Sequence, residues 1–456
     1  MVPRAFPPKR DAGERRQDFG EIYALFDEQE VRAQASRCIQ CPDPLCAKGC
    51  PLSNHIPEWL ALTAEGKFLE AARVSQSTSN MPEICSRVCP QERLCEGACI
   101  LNSHMNPIAI GAIERFINEY AFAHGGVETA AAPPNGRKVA IVGAGPGGLA
   151  CADELAKLGY AVTVFEALDA AGGLLVYGIP SFKLDKTVVA RRVDVMHRRG
   201  VEFRNHSRLG GDFSLSDLEQ EFDAVFLGIG AQKPKPLDVP GADLKGVFQA
   251  IPFLVQKNLQ VAGDSPAIEV RGRRVAVLGG GDTAMDCLRS AVRCGASESV
   301  CLYRRDQANM PGSRKEYANA IEEGAKFEFL TAPIAVEGNA AGEVTQVRCE
   351  RMALGEPDAS GRRKPRPVPG SEFVVPADVV LVAYGFDAVS FPKGSDMGRL
   401  ARDKWDCLIV DQNQMTSIPG VFTGGDASRG PSLVVHAVRD GRKAAQAIDR
   451  YLAPKP

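Results

Sequence analysis

No uninterrupted apolar run in the 456 residues approaches the ~20 needed for a bilayer-spanning helix, so no membrane role is expected. The first twenty residues, MVPRAFPPKRDAGERRQDFG, hold charges and prolines but no apolar core, unlike a secretory signal. An excess of either charge is also lacking. The formal net charge of −2 leaves no basic footprint for nucleic acid, so no nucleic-acid partner is expected. These absences place the chain in the cytoplasm. There thiols stay reduced, and the 14 cysteines read as metal ligands or redox groups before they read as disulfides.

The composition, 45% apolar and 24% charged, is that of a globular protein, and the length predicts about three domains at ~150 residues each. Eight cysteines fall between Cys38 and Cys99. The other six (Cys151, Cys287, Cys294, Cys301, Cys349, Cys407) are scattered in apolar surroundings and read as small buried residues. The cysteine-dense region has helical periodicity. In EWLALTAEGKFLEAARVSQ an apolar stripe runs through Trp59, Leu60, Leu62, Phe68, Leu69 and Val74. A Gly/Ala/Pro-rich stretch, HGGVETAAAPPNGR, then reads as a linker. Beyond it, short β-rich runs alternate with helices, the pattern of parallel α/β folds. One echo recurs: KVAIVGAGPGGLA returns in altered form as RVAVLGGGDTAMD.

In the first copy an apolar strand leads into Gly143, Ala144, Gly145, Pro146, Gly147 and Gly148, and a helix follows. Glycines at this spacing permit a tight turn and let the backbone approach a pyrophosphate on the helix N-terminus. The next strand, AVTVFE, ends in Glu166, about where an acid meets a ribose hydroxyl. A purely structural glycine turn is the rival reading. The second copy carries Gly279, Gly280, Gly281, Asp282, Thr283 and Ala284, and its second strand ends in Arg304 and Arg305. A carboxylate there would repel a 2′-phosphate, whereas guanidinium groups bind one, so NADPH is expected over NADH. The rival is a solvated basic turn.

Two such units imply two dinucleotides, most simply FAD at the first and NADPH at the second. DAVFLGIGA and ADVVLVAYGF add strands ending in glycine turns, at Gly230 and Gly385. With GVFTGGDA near the C-terminus, the whole resembles the flavoprotein pyridine-nucleotide reductases, in which the NADPH unit is inserted within the FAD unit. That resemblance implies FAD contacts at Gly425, Asp426, Ser432 and Leu433. The expected architecture is α/β. A helical iron–sulfur domain (1–123) and a linker (124–137) precede a FAD domain in two parts (138–250 and 385–456) around an NADPH domain (251–384).

The cysteines space as C-x2-C-x4-C-x3-C-P, then C-x3-C-P-x4-C-x3-C. Zinc knuckles usually come as two separated pairs. Four thiols in one run before a proline more resemble [4Fe–4S] ligation, with zinc or no metal as the rivals. A flavin beside clusters is chemically consistent, because it converts hydride delivery into single-electron steps. The region resembles the N-terminal part of dihydropyrimidine dehydrogenase. That resemblance implies one cluster on Cys38, Cys41, Cys46 and Cys99, and a second on Cys50, Cys89, Cys95 and Glu114. Glu114 stands where that family has a side-chain amide oxygen, and Cys85 in its place is the alternative.

Over almost its full length the chain resembles the small (β) subunits of bacterial NADPH-dependent glutamate synthase. The resemblance is carried by RRQDFGEIY, PEICSRVCPQERLCEGAC, GGLLVYGIPSFKLDKTVVARR, LYRRD, NMPGSRKE and GSEF. It implies Gly173, Leu174 and Lys183 beside the flavin. It also implies a hetero-oligomer with a large FMN- and iron–sulfur-containing subunit that makes L-glutamate from L-glutamine and 2-oxoglutarate. In keeping with that, no room remains for a substrate barrel of about 250 residues, and residue 2 is valine rather than a nucleophilic cysteine. No catalytic base is expected, and Lys315 and Glu316 read first as shaping the NADPH domain. Two other readings stand: the large subunit of a bifurcating ferredoxin:NADP⁺ transhydrogenase, and a stand-alone redox carrier or binding module. A disulfide reductase is discounted, since no C-x-x-C lies beside either nucleotide unit.

Overall fold

The computed structural model describes residues 2–259, 267–357 and 363–453. The N-terminal unit is helical: Glu28–Ala35, Ile56–Ala64, Phe68–Thr78 and Ile110–Ala123 enclose a core centred on Trp59, Ile113 and Phe116, while Pro82–Val88 packs Ile84 and Cys85 into the core of the first sheet. Asp27 starts the first of these with a reciprocal cap, its side chain accepting from Glu30 N while Glu30 answers to Asp27 N. The apolar stripe seen in the sequence is divided between two helices. Gly66, at φ +83°, turns the chain between them. Trp59, Leu60 and Phe68 are buried, and Leu62, Leu69 and Val74 half-buried against them.

Two parallel sheets follow, and they have the same strand order. The first runs Val421–Thr423, Ala224–Leu227, Lys138–Val142, Ala161–Phe165, Glu202–Arg204. The second runs Val247–Gln249, Val379–Val382, Arg274–Leu278, Glu298–Tyr303, Lys326–Phe329. In each, the glycine motif leaves the central strand, so both loops open where the strand order reverses, the usual ligand crevice of such sheets. The chain passes between the units through a short antiparallel ribbon, Lys233–Pro234 against Phe386–Asp387. The expected linker is an extended segment fastened to the first unit. Ala132 N donates to Lys157 O and Asn135 N to Gly159 O, and Arg199 reaches the carbonyls of Glu128 and Ala130.

One element went unforeseen. Thr331–Gly338, Val344–Pro357, Arg363–Pro367 and Phe373–Pro376 form an antiparallel sheet, whose Val336, Val347 and Cys349 pack behind the second parallel sheet on Ala276, Leu278 and Val380. The scattered cysteines are buried, except Cys294, which is half-buried. No helix among the described residues is long and apolar enough to cross a membrane.

The C-terminal helix Val434–Leu452 lies against the glycine-loop helix Pro146–Lys157, and glycines set their approach. A Cβ on Gly441 would sit 2.1 Å from Gly147 O and 3.1 Å from Cys151 N. Both obstacles are backbone, so the helices would have to separate. Gly441→Val is expected to lower the thermal unfolding midpoint by several degrees, an overpacking cost of about 1–3 kcal/mol. Differential scanning fluorimetry beside the wild-type chain checks this.

Candidate functional site

The first glycine loop is shaped by backbone contacts. Gly143 adopts φ +92°, its N–H donates to Phe165 O at 2.8 Å, and a Cβ there would meet Gly228 O at 2.5 Å. A Cβ on Gly148 would lie 1.9 Å from Gly143 O, so this glycine serves close packing of helix on turn. Gly145 differs, since a Cβ there would have nothing within 4 Å. The open position faces the crevice, where a pyrophosphate could approach. Glu166 is buried, and its carboxylate accepts from Ala144 N at 2.8 Å and Leu168 N at 3.0 Å. It therefore braces the loop from the end of the second strand. Gly173, at φ +53°, brings the turn at Leu174 against Gly145, and Leu174 stays 47% exposed. Gly230 (φ +69°) closes the neighbouring strand with open space beside it.

The C-terminal motif completes this crevice. Gly425 takes φ +67° and its N–H donates to Asp440, which Arg429 holds by two bonds of 2.6 and 2.7 Å. Asp426 accepts from Ser432 N at 3.0 Å, and burial pushes its carboxyl up to about 6. Ser432 and Leu433 immediately precede the long helix. Its first turn has no side-chain cap and so leaves N–H donors at the crevice.

In the second unit Gly279 (φ +137°) lies against Ala383 O and Gly280 against the Tyr303 ring, while Gly281 again opens on free space. Asp282, Thr283 and Ala284 start the following helix, and Asp282 accepts from Ser313 N at 2.9 Å. Arg304 is exposed past the strand end and has no hydrogen bond or ion pair among the described residues. Arg305 is half-buried, with an unbonded Nε. Gly385 (φ +89°) faces open space at the end of the adjacent strand.

Lys183, expected beside the flavin, is engaged with acids of the second unit. Its ammonium bonds Asp286 at 2.9 Å and lies 3.9 Å from Glu316. Burial alone would lower its pKa, and these two acids more than offset that. Lys183 belongs to a buried charge network that the sequence reading did not foresee. Arg289, fully buried, bonds Glu316 and Glu323, Arg293 bonds Glu323, and Arg15 reaches Glu322 and Glu323. Arg289 and Arg293 both lie over the Phe182 ring, at 4.2 and 4.0 Å. Burial would raise Glu316, but Arg289, Lys183 and Lys315 hold it down at about 2.

The cysteines surround two separate voids. One is lined by Cys38, Cys41, Cys46 and Cys99, the other by Cys50, Cys85, Cys89, Cys95 and Glu114. Cys50 thus leaves its own run for the second void, and Cys99 leaves its run for the first. Burial pushes the Cys46 and Cys50 thiols up to about 11, so they are poor thiolates until a cationic centre is present. Glu114 accepts from Asn54 at 2.8 Å and Ser75 at 3.1 Å, and burial raises it to about 7. Among the described residues no three such side chains converge as they would on a single ion. Thiols ringing a void fit a polynuclear cluster instead. The second void also touches Val435, in the first turn of the helix that follows Ser432 and Leu433.

The glycines separate folding from binding. Gly148→Ala should prevent accumulation of soluble chain, because the new methyl meets backbone. Gly145→Ala should leave yield and circular dichroism unchanged while weakening FAD retention by about tenfold or more. Flavin-to-protein absorbance after desalting reports the difference.

The family described as dihydropyrimidine dehydrogenase domain II, 4Fe–4S cluster, matches residues 15–126, and the pyridine nucleotide–disulphide oxidoreductase family matches 137–441. The glutamate synthase [NADPH] small chain of Escherichia coli is 45% identical over 98% of this chain and 97% of its own length. AegA of the same organism, described as an oxidoreductase, is 46% identical over 99% of this chain and 70% of its own. FprA of Mycobacterium tuberculosis, solved in complex with NADPH, superposes with a TM-score of 0.61 at 21% identity, over 70% of this chain and 85% of that one, a likeness of fold. Matched along nearly its whole length at this identity, and built from a cluster unit and two dinucleotide units in this order, the chain belongs to the family of NADPH-dependent glutamate synthase small chains.

Proposed function

We propose that this NADPH-dependent electron-transfer oxidoreductase is the electron-input subunit of a cytoplasmic hetero-oligomer. It oxidises NADPH at FAD and passes electrons through two [4Fe–4S] clusters to a large FMN-containing glutamate synthase subunit, which forms L-glutamate from L-glutamine and 2-oxoglutarate. The observation that carries the reading is the shared wall at Val435. The void ringed by Cys50, Cys89 and Cys95 meets the same helix turn that borders the flavin crevice. The void of Cys38, Cys41, Cys46 and Cys99 lies farther out, among the exposed side chains of Ile39, Leu45 and Ile100.

When bound, the flavin supplies the exchange between paired and single electrons. The chain's own residues position and shield. The Gly143–Gly148 loop, braced by Glu166, holds the pyrophosphate, and Asp426 with the Ser432–Leu433 turn holds the middle of the same nucleotide. Leu174 offers an apolar face at the crevice. Arg304 and Arg305 recognise the coenzyme's 2′-phosphate and so select NADPH. The half-buried cysteines line their voids, with Glu114 oriented by Asn54 and Ser75 toward the second. The likeness to AegA favours a second reading, in which the acceptor is a different oxidoreductase partner.

Two experiments separate the parts. Arg304→Gln/Arg305→Gln should lower kcat/KM for NADPH by about 10- to 100-fold, two lost charge-assisted bonds, and leave NADH-dependent ferricyanide reduction unchanged. An equal loss with both coenzymes would refute the phosphate assignment. Glu114→Ala should remove roughly four of about eight irons, whereas Cys85→Ala should keep them. The reverse pattern would make Cys85 the fourth ligand. Electron delivery to the purified large subunit, against none to unrelated FMN proteins, tests the partner.

A further inference from the structure

A cavity of about 430 Å³ lies apart from both dinucleotide crevices and both cysteine voids. It lies where four parts of the chain meet. The N-terminal segment contributes Arg4 and Tyr23, the cluster unit Gln91 and Arg115, the FAD unit Phe182, and the NADPH unit Arg314 and Lys315. The volume falls in the range of sites for small metabolites, about 300–1,000 Å³.

Its charges are unevenly satisfied. Six cationic side chains (Arg4, Arg87, Arg115, Lys183, Arg314, Lys315) line it against four carboxylates (Glu21, Glu92, Glu96, Glu316). Each carboxylate is engaged by the protein. Glu21 accepts from Arg87 and Arg115, each at 2.6 Å, and Glu96 from Arg4 and from Gly111 N. Glu92 accepts from Arg314 N at 3.2 Å, and Glu316 from Arg289. Several cationic donors remain over. The Arg314 guanidinium is exposed and has no partner among the described residues; Lys315, also exposed, makes no salt bridge, lies over the Tyr23 ring at 4.3 Å and feels Glu316, Glu96 and Glu92 only at longer range. Arg4 Nε and Arg115 Nε are buried and unbonded. An oxyanion in the cavity would balance the excess positive charge and accept from the open Arg314 and Lys315 side chains. Phe6, Ile22 and Phe182 provide an apolar wall for a short carbon skeleton.

We propose that this junction cavity binds a small multiply charged oxyanion, a polycarboxylate or phosphate-bearing metabolite, held by Arg314 and Lys315 with Arg4 and Arg115. Bound there, the anion cross-links the NADPH unit to the cluster unit beside Cys95, and its occupancy sets how firmly the two are held together. Calorimetric titration of the flavin- and cluster-loaded chain with citrate and, separately, inorganic phosphate tests the site and tells the two chemistries apart. At least one should bind below about 20 mM at low salt. Binding should weaken about tenfold or more in Arg314→Gln/Lys315→Gln, persist in Lys315→Arg, and be unchanged in Arg304→Gln/Arg305→Gln. Unchanged flavin content and NADPH–ferricyanide turnover in the first variant show that it is folded. No heat from either anion would overturn the proposal. So would binding that survives Arg314→Gln/Lys315→Gln and disappears in Arg304→Gln/Arg305→Gln, which would place the anion at the coenzyme phosphate site.

Discussion

The arrangement of the whole chain turns on a buried set of ion pairs in which Arg289 is the hub. Arg289 and Arg293 come from the helix that follows the second glycine loop, Glu316 and Glu323 from the next helix and its end. Arg15 joins from the N-terminal segment and Lys183 from the FAD unit. Desolvating so many charges is expensive, and it is offset only when geometry is good and each partner is present. The network therefore favours one relative placement of three units, since any other leaves charges buried and alone. Hydride transfer depends on such placement, because the reacting atoms must meet within about 3–3.5 Å.

The same logic of exclusion governs the cysteine voids. Burial raises the Cys46 and Cys50 thiols, so without a metal cluster these two stay protonated. Their crossing, with Cys50 and Cys99 exchanging runs, braids the two cysteine segments together. Cluster binding and the fold of the helical unit then support each other. Val435 links this unit to the flavin crevice through the longest helix in the described structure, itself held against the glycine-loop helix by Gly147 and Gly441.

Much of this was legible in the sequence because the signals were local. The glycine spacing of GAGPGG and GGGDTA, the strand–loop–helix order and the arginines of LYRRD are set within about thirty residues, and the folded units show the strand–loop–helix order. The cysteine crossing came through resemblance, since spacing cannot reveal which thiols share a void. What was missed is non-local. Lys183 sits within a flavin-associated motif, but its charge is claimed by Asp286, 103 residues away. The antiparallel sheet behind the NADPH unit has alternating, half-exposed strands, a weaker signal than the continuous apolar runs of the parallel strands. Nothing in the pattern around Arg314 and Lys315 signals that four units converge on them.

The central claim is that NADPH electrons enter at a flavin wired to two clusters. Anaerobic titration of the purified chain with NADPH and then NADH, with iron and flavin quantified, tests it most directly. The account predicts about one FAD and roughly eight irons per chain, with flavin absorbance bleached by NADPH and not by NADH. Zinc in place of iron, or a flavin indifferent to NADPH, would contradict it.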